Sequence, residues 1–551
     1  MKQKLALGVE TSESQVEKAL DSLRVWAMTM TRIGGGAGFW GDRVFAPLEL
    51  LSTSKLDYLI LDYLAEVTMS ILAKQKMRDP KKGWATDLVD WLEAGGVELL
   101  HDSGAKLVTN AGGANPADCA KMVLELACEV GWTDCRIALI TGDDVVQLID
   151  DALDGGSLVE NIETGQKLSE LEDGVVTANA YLGAGPIGRA LESGADIVIT
   201  GRVADASLIV GCMLHSCGWA AESISQGHAI TTPIHRWATS EVESPLDVLA
   251  SWSIAGHLIE CGAQVCGGNS TDWKLIDNLA EVGYPIAEIE EGGSCIITKP
   301  EGTGGAVNRR TVAEQLLYEI GDPAAYITPD VVVDLRHTTL TETGENRVRV
   351  EGTRGLPPTD HFKVSATHLD GWFACSDLVV CGPDAVERSK ACDDVMRARL
   401  SDLTRLEINS EFFGAGASLP PGLAHLKVEP SEVLIRWGAR SGNRADIIEF
   451  GRSVAPLILT GPAGVAGYSA RPKPREQLRY FPFLIPRDLV EPQIQIVLMN
   501  TLRLRVSDRS PRLGSVFDRL ESIANGTPED QWRRKFARRV LVRLQRPTMR
   551  E

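Results

Sequence analysis

The feature that most restricts how this chain can fold is a recurring unit: a short apolar run, a polar or glycine-rich turn, then helical periodicity. The apolar runs are Tyr58–Leu61, Leu107–Val108, Arg136–Ile140, Val175–Ala178 and Ile197–Ile199. The turns behind them include Asn110–Pro116, Thr141–Asp144 and Thr200–Asp205, and helices are expected at Ala117–Val130 and Pro186–Ser193. Short, uniformly apolar strands alternating with helices predict an α/β fold with a parallel sheet covered by helices. Ligands of such sheets gather at the carboxyl ends of the strands, so these turns are expected to share one rim.

The stretch Thr31–Arg43 fits the same scheme, with five glycines between an apolar lead-in and a helix-like run from Val44 to Leu51. Glycine lets a backbone approach its neighbour closely. A loop of this kind opening a helix can turn free N–H groups toward an anion or a developing oxyanion. The alternative is a tight strand–helix turn without a ligand. On the first reading Gly34, Gly35, Gly36, Gly38 and Asp42 belong to a substrate-binding loop.

At 551 residues the chain is expected to form several domains. It holds no uncharged apolar run long enough to span a membrane. Its start shows no basic segment leading into an apolar one, so no secretory signal is expected. A net charge of −19 argues against a nucleic-acid partner, which needs a basic face. It leaves a small-molecule substrate open, because a small ligand feels only the local field. The 11 cysteines form no paired C-x-x-C pattern and no disulfide framework, which fits a reducing cytoplasm.

Residues 12–30 open with the capping box Ser12–Gln15 and carry Val16, Ala19, Leu20 and Leu23 at helical spacing. A second helix is predicted from Ser244-Pro245 to about Val265. It is apolar nearly all round, yet His257, Glu260 and Cys261 share one of its faces. Buried ionisable groups are costly unless paired or lining a cavity. Residues 285–430 read as an α+β region, followed by a strand at Val433–Trp437 and a long strand at Gln493–Val506. A helix starting at Thr527 carries Trp532, Phe536 and Val540 among arginines. On so acidic a chain, docking on its own body or on a second copy is expected over an anionic membrane. A homo-oligomer built through the terminal helices follows from that reading.

Several residues carry candidate chemistry. Asp143 and Asp144 end a strand, where one is a candidate general base or, with Asp205, a ligand of a divalent cation. The alternative is that one caps the next helix. Arg202 could clamp a carboxylate or phosphate, or pair with Asp205. Asn110 and Asn115 could hold a substrate carbonyl or simply form turns. His257 and Glu260 make an acid/base pair in which the carboxylate orients the imidazole. Cys261 as a nucleophile would need a lowered pKa. No HExxH, paired C-x-x-C or Walker lysine occurs, and the glycine run lacks an acidic ribose partner in register, which sets aside zinc-protease, P-loop and redox readings.

Taken together, RIGGGAGFWGDR (32–43), TNAGGANP (109–116), TGDD (141–144), ANAYLGAGPI (178–187), ITGRVADASL (199–208), AGHLIECGAQVCGG (255–268) and TKPEGTGGAVN (298–308) resemble the acyclic terpene utilisation family, AtuA. The likeness runs over residues 31–395 in the family's order. Members often carry a small ferredoxin-like C-terminal domain opening on a pattern like ARSGDKGD; here Ala439–Asp446 reads ARSGNRAD. The resemblance implies catabolism of a branched carboxylic acid through acyl-CoA intermediates, without naming a reaction. The expected organisation is an N-terminal helical extension (1–30), an α/β domain (31–284), an α+β region (285–430) and a small ferredoxin-like α+β domain (431–551). The expected activity is hydration, dehydration or carbon–carbon cleavage of a β-hydroxyacyl compound, with CoA as part of the substrate. The alternatives are a thioester, ester or amide hydrolase using Cys261 or a metal-activated water, and a non-catalytic assembly subunit.

Overall fold

The computed structural model describes residues 30–149, 159–171, 174–219, 244–423 and 429–498. The predicted helices at 12–30 and from Thr527 lie outside these residues, as does the end of the strand predicted over Gln493–Val506. The chain is mixed α/β and divides into two compact units. Unit 1 comprises Met1–Glu163, Thr177–Ser365 and Pro482–Glu551; unit 2 comprises Thr164–Val176 and Ala366–Phe481.

Unit 1 is built on a ten-stranded sheet. Its strands are β1 (Met30–Gly35), β2 (Tyr58–Leu61), β3 (Lys106–Thr109), β4 (Ile137–Thr141), β5 (Ile197–Thr200), β6 (Ile286–Glu290), β7 (Cys295–Thr298), β8 (Thr339–Gly344), β9 (Arg347–Glu351) and β10 (Gln493–Val497). They lie in the order β8-β9-β7-β6-β1-β2-β3-β5-β4-β10. The central strands β1, β2, β3, β5 and β4 are parallel neighbours, with Ile33 opposite Tyr58, Tyr58 opposite Lys106, and Ile197 opposite both Leu107 and Ile137. Antiparallel strands extend both flanks. The sheet therefore takes strands from both sides of residue 285.

Every residue of β2 and of β5 is buried, as a continuous Val/Ile/Leu-type run requires. Helices α1 (Ala46–Thr53) and α2 (Pro116–Glu129) follow β1 and β3, each with a proline in its first turn. Helix α3 (Ser207–Cys217) follows β5 and is almost wholly buried. Helix α4 (Pro245–Glu260) starts where the sequence places it, capped by the Ser244 hydroxyl accepting from the Asp247 N–H. The helix ends at Glu260, short of the predicted Val265, because Gly262 turns left-handed with φ +56°; a 3₁₀ turn, Gly262–Cys266, follows and stops at Gly267 with φ +95°.

One strand falls outside the predicted sheet. Val175–Ala180 is extended, but it does not join the ten strands. Instead its end runs antiparallel to the turn after β4: Ala180 N–H donates to Asp143 O at 2.7 Å, and Val145 N–H to Ala178 O at 2.9 Å. There the Asn179 amide donates to Asp143 Oδ2 at 2.9 Å.

Unit 2 has its own core. The strand Glu432–Ser441 alternates strictly, burying Val433, Ile435, Trp437, Ala439 and Ser441 on one face. It pairs antiparallel with Trp372–Cys381 and with Glu407–Phe413. Helices Ala385–Arg399 and Arg444–Val454 contribute Cys392, Met396, Ile447 and Phe450 to that core. The ARSGNRAD stretch is the end of this strand and the start of the second helix. Asn443 caps the helix by accepting from Ala445 N–H at 3.0 Å.

Candidate active site at the carboxyl ends of the parallel strands

All five parallel strands end toward one rim, as parallel pairing dictates, and α4 delivers Glu260 to it. What brings the helix close is the glycine loop. A Cβ on Gly35 would lie 2.5 Å from the Ile259 carbonyl oxygen, and one on Gly38 would lie 2.7 Å from the Cys261 carbonyl carbon. Gly256, in turn, lets α4 cross the backbone of Ala206, where an added Cβ would come within 2.8 Å. The absence of side chains at these points seats His257 and Glu260 against the turn that carries Arg202 and Asp205.

The same loop does not form an anion cradle from its N–H groups. Gly35 N–H donates to Pro285 O at 3.0 Å, Gly36 N–H to Ile60 O at 2.9 Å, and Gly38 N–H to Asp42 Oδ2 at 2.9 Å. Asp42 is the loop's own strut, since its other oxygen accepts from Tyr284 at 2.5 Å and Arg43 N–H at 2.7 Å. Gly34 and Gly36 face Leu56 and Leu61 side chains in the core. Backbone amides already bonded to protein acceptors are not available to an oxyanion.

His257 and Glu260 meet as expected from their spacing. His257 Nδ1 lies 3.1 Å from Glu260 Oε1, and Nε2 lies 2.9 Å from the Gln315 carbonyl. Two acceptors facing one imidazole favour the doubly protonated ring. Burial pushes its pKa down, yet the Glu260 carboxylate, the Gln315 carbonyl and Glu319 outweigh that and raise it. Both ring nitrogens are thus occupied, and the remaining atom of the pair, Glu260 Oε2, is buried and has no hydrogen-bond partner among the described residues.

Opposite stands a carboxylate that sequence reasoning passed over. Asp62 is buried directly after β2, in the position that Asn110 holds after β3. Asn110 ties the two ends together: its amide donates to Asp62 Oδ1 at 2.6 Å, and its oxygen accepts from Tyr63 N–H at 2.7 Å. Burial lifts Asp62 to about 6 against the opposing pull of Arg202, with Glu260 adding to the rise. The signal was present, since the same rule that selected Asn110 selects the residue after each strand.

Arg202 is buried and its fork is spent within the protein. Nε donates to Val203 O at 3.0 Å, Nη1 to Leu64 O and Nη2 to Asp205 Oδ1, while the guanidinium stacks 4.3 Å from the centre of the Tyr181 ring. This is the ion pair weighed against a substrate clamp. Asp205 keeps 35% of its side chain exposed, so the cluster opens to solvent there.

The remaining predicted residues make structural bonds beside this cluster or away from it. Asp143 is buried behind the rim, its Oδ2 accepting from Arg202 N–H and the Asn179 amide, each at 2.9 Å. Burial raises it to about 6. Asp144 is exposed and accepts from Val146 N–H at 3.2 Å, the capping alternative. Asn115 donates to Pro80 O, Lys82 O and Asp118, holding a loop. The proposed cation site of Asp143, Asp144 and Asp205 is not assembled, since these carboxylates are bound to separate protein donors. Among the described residues no group of three or more His, Cys, Asp or Glu is arranged to hold a metal ion. Cys261 is half-buried, and burial with the adjacent Glu260 pushes its thiol up, against thiolate formation.

The model of the acyclic terpene utilisation family protein AtuA matches residues 31–496. The chain belongs to that family. No curated protein and no solved structure matches it. Membership of the AtuA family points to a catabolic role in acyclic terpene utilisation. Among the described residues, no helix is long and apolar enough to cross a membrane. The whole rim, from Gly35 to Glu260, falls within the matched AtuA span.

Proposed function

We propose that this chain is a catabolic lyase acting on a β-hydroxyacyl compound, as the carboxylic acid or its CoA thioester, by loss or addition of water or by carbon–carbon cleavage. The observation that carries the reading is Glu260 Oε2: a buried carboxylate oxygen without a hydrogen-bond partner among the described residues, with an imidazole on the other oxygen. Both reactions pass through an enolate and need a positioned base with an acid across from it. Glu260 is the base, His257 is the residue that positions it, and Asp62, which burial raises to about 6, is the proton carrier. All 11 cysteines are free, which supports a reducing compartment such as the cytoplasm. Assembly of several copies through the terminal segments belongs to the same reading.

The test is turnover of β-hydroxyacyl-CoA thioesters by the full chain, followed as water loss or chain cleavage. Glu260→Gln should lower kcat by about 100-fold or more, while alkylation of Cys261 should leave turnover intact. Loss of turnover on blocking Cys261, with Glu260→Gln still active, would transfer the assignment to hydrolysis.

A further inference from the structure

The strand Glu432–Ser441 of unit 2 buries Val433, Ile435, Trp437 and Ala439 on its core face and turns Arg436, Gly438 and Arg440 the opposite way. In register, Arg440 lies between Phe373 and Glu407, Gly438 between Cys375 and Asn409, and Arg436 between Asp377 and Glu411. The middle row thus has no side chain at its centre, and a cavity of about 340 Å³ opens there, with Phe373, Cys375, Asn409, Glu411, Arg436 and Gln477 in its walls. Its floor is the Gly438 backbone, where an added Cβ would come 3.4 Å from the Phe373 ring. Arg440 is spent, its Nη1 donating to Asp370 at 2.7 Å and its Nη2 to Glu407 at 2.8 Å. Arg436 and Glu411 stand directly opposite each other and do not bond. Arg436 Nε donates to Asp377 Oδ1 at 2.9 Å, which leaves both Nη groups and the Glu411 carboxylate without hydrogen-bond partners among the described residues. Gln477 Oε1 is buried and likewise has none.

We infer that this pit binds a free α-amino acid with an apolar side chain, its carboxylate on the Arg436 Nη groups, its ammonium on Glu411 and Gln477 Oε1, and its side chain over Gly438 against the Phe373 ring. A guanidinium edge beside a carboxylate and a buried carbonyl oxygen is the complement of a zwitterion: the first gives hydrogen bonds to the anionic end, the other two accept from the cationic end. A carboxylic acid without the ammonium leaves Glu411 unanswered, and an amine without the carboxylate leaves the Arg436 edge unanswered. The missing side chain at Gly438 and the ring beside it supply the apolar bed. Every lining residue belongs to unit 2, whereas Asp62, Arg202, His257 and Glu260 belong to unit 1, so the inference does not rest on the lyase reading.

Titration calorimetry of the full chain with leucine and phenylalanine tests this, with isocaproate, which is leucine without its ammonium, and isoamylamine, which is leucine without its carboxylate, as controls. At least one amino acid should bind saturably, and each control should bind about 10-fold or more weaker. Arg436→Gln should weaken amino-acid binding by about 10-fold or more, and Gly438→Val, which fills the pit from a strand position, should abolish it. Cys375 is exposed at the pit, so saturation with the amino acid should slow its labelling by iodoacetamide, read by mass spectrometry on the wild-type chain, where no variant has to fold. Absence of binding by both amino acids overturns the inference, as does a control that binds equally well or labelling of Cys375 at an unchanged rate. Loss of Cys375 labelling on raising the chain concentration alone would assign the face to a second copy and overturn it too.

Discussion

Whether His257 carries its charge decides how Glu260 is held, and the imidazole's two acceptors make a definite claim about pH. A group whose folded pKa is raised contributes stability that is complete below its unfolded value and lost as pH rises through the folded one. His257→Gln should therefore destabilise the chain by about 3 kcal/mol near pH 6, the scale of breaking a buried pair, and by less as the pH is raised through the folded value of the imidazole. Urea denaturation over a pH series tests this; a loss that does not change with pH would mean a neutral ring. Asp143 makes the opposite case. Its carboxyl is raised to about 6 by burial, so between its unfolded value and that point the native state binds more protons and stability falls as pH rises. Asp143→Asn keeps an acceptor oxygen for Arg202 N–H and Asn179 while removing the charge. It should gain up to ~3 kcal/mol at pH 8, a gain that vanishes near pH 4. A loss at pH 8 would show that the charge itself holds the turn after β4.

At the scale of elements, the site depends on α4 lying against the glycine loop, and the glycines there are not equivalent. Gly35 and Gly38 face backbone atoms of Ile259 and Cys261, which cannot move aside without shifting the helix end. Gly36 faces the Leu61, Leu59 and Pro47 side chains. Gly38→Ala and Gly35→Ala should each cost about 2 kcal/mol and lower turnover by displacing Glu260, whereas Gly36→Ala should cost less and retain activity. Equal effects at all three positions, in melting temperature and kcat, would count against helix approach as the loop's role. These contrasts also show what could be read in advance. The strands β2 to β5 and the start of helix α4 were legible because burial demands apolar residues at the positions that face the core. The pairing of His257 with Glu260 followed from helical spacing alone. The glycine loop was legible as a close approach but not as to what approaches, because that partner lies more than 200 residues along the chain. Val175–Ala178 was misplaced for a related reason: a short apolar run carries no mark of which backbone it will pair with.

For the whole molecule, the order of segments along the chain sets the order in which cores can close. Unit 2 takes its sequence from Thr164–Val176 and Ala366–Phe481, between segments of unit 1. Strand β10, which completes the sheet of unit 1 beside β4, arrives only after all of unit 2 has been passed. Each unit has a core of its own, that of unit 2 built on Trp437, Ile435, Phe450 and Met396, so each has the means to open without the other. Trp437 is fully buried, and its indole N–H donates to Asp393 Oδ1 at 2.8 Å. Trp437→Ala should cost unit 2 about 3–5 kcal/mol. Under native-state hydrogen exchange the lost protection should concentrate in residues 366–481, while the amides of β1 to β5 keep theirs. Turnover at the rim of unit 1 should then survive at temperatures where unit 2 exchanges freely. If protection falls equally in β2, β3 and β5, the two cores form a single cooperative unit, and the His257–Glu260 pair owes its stability to Trp437 as much as to the glycine loop.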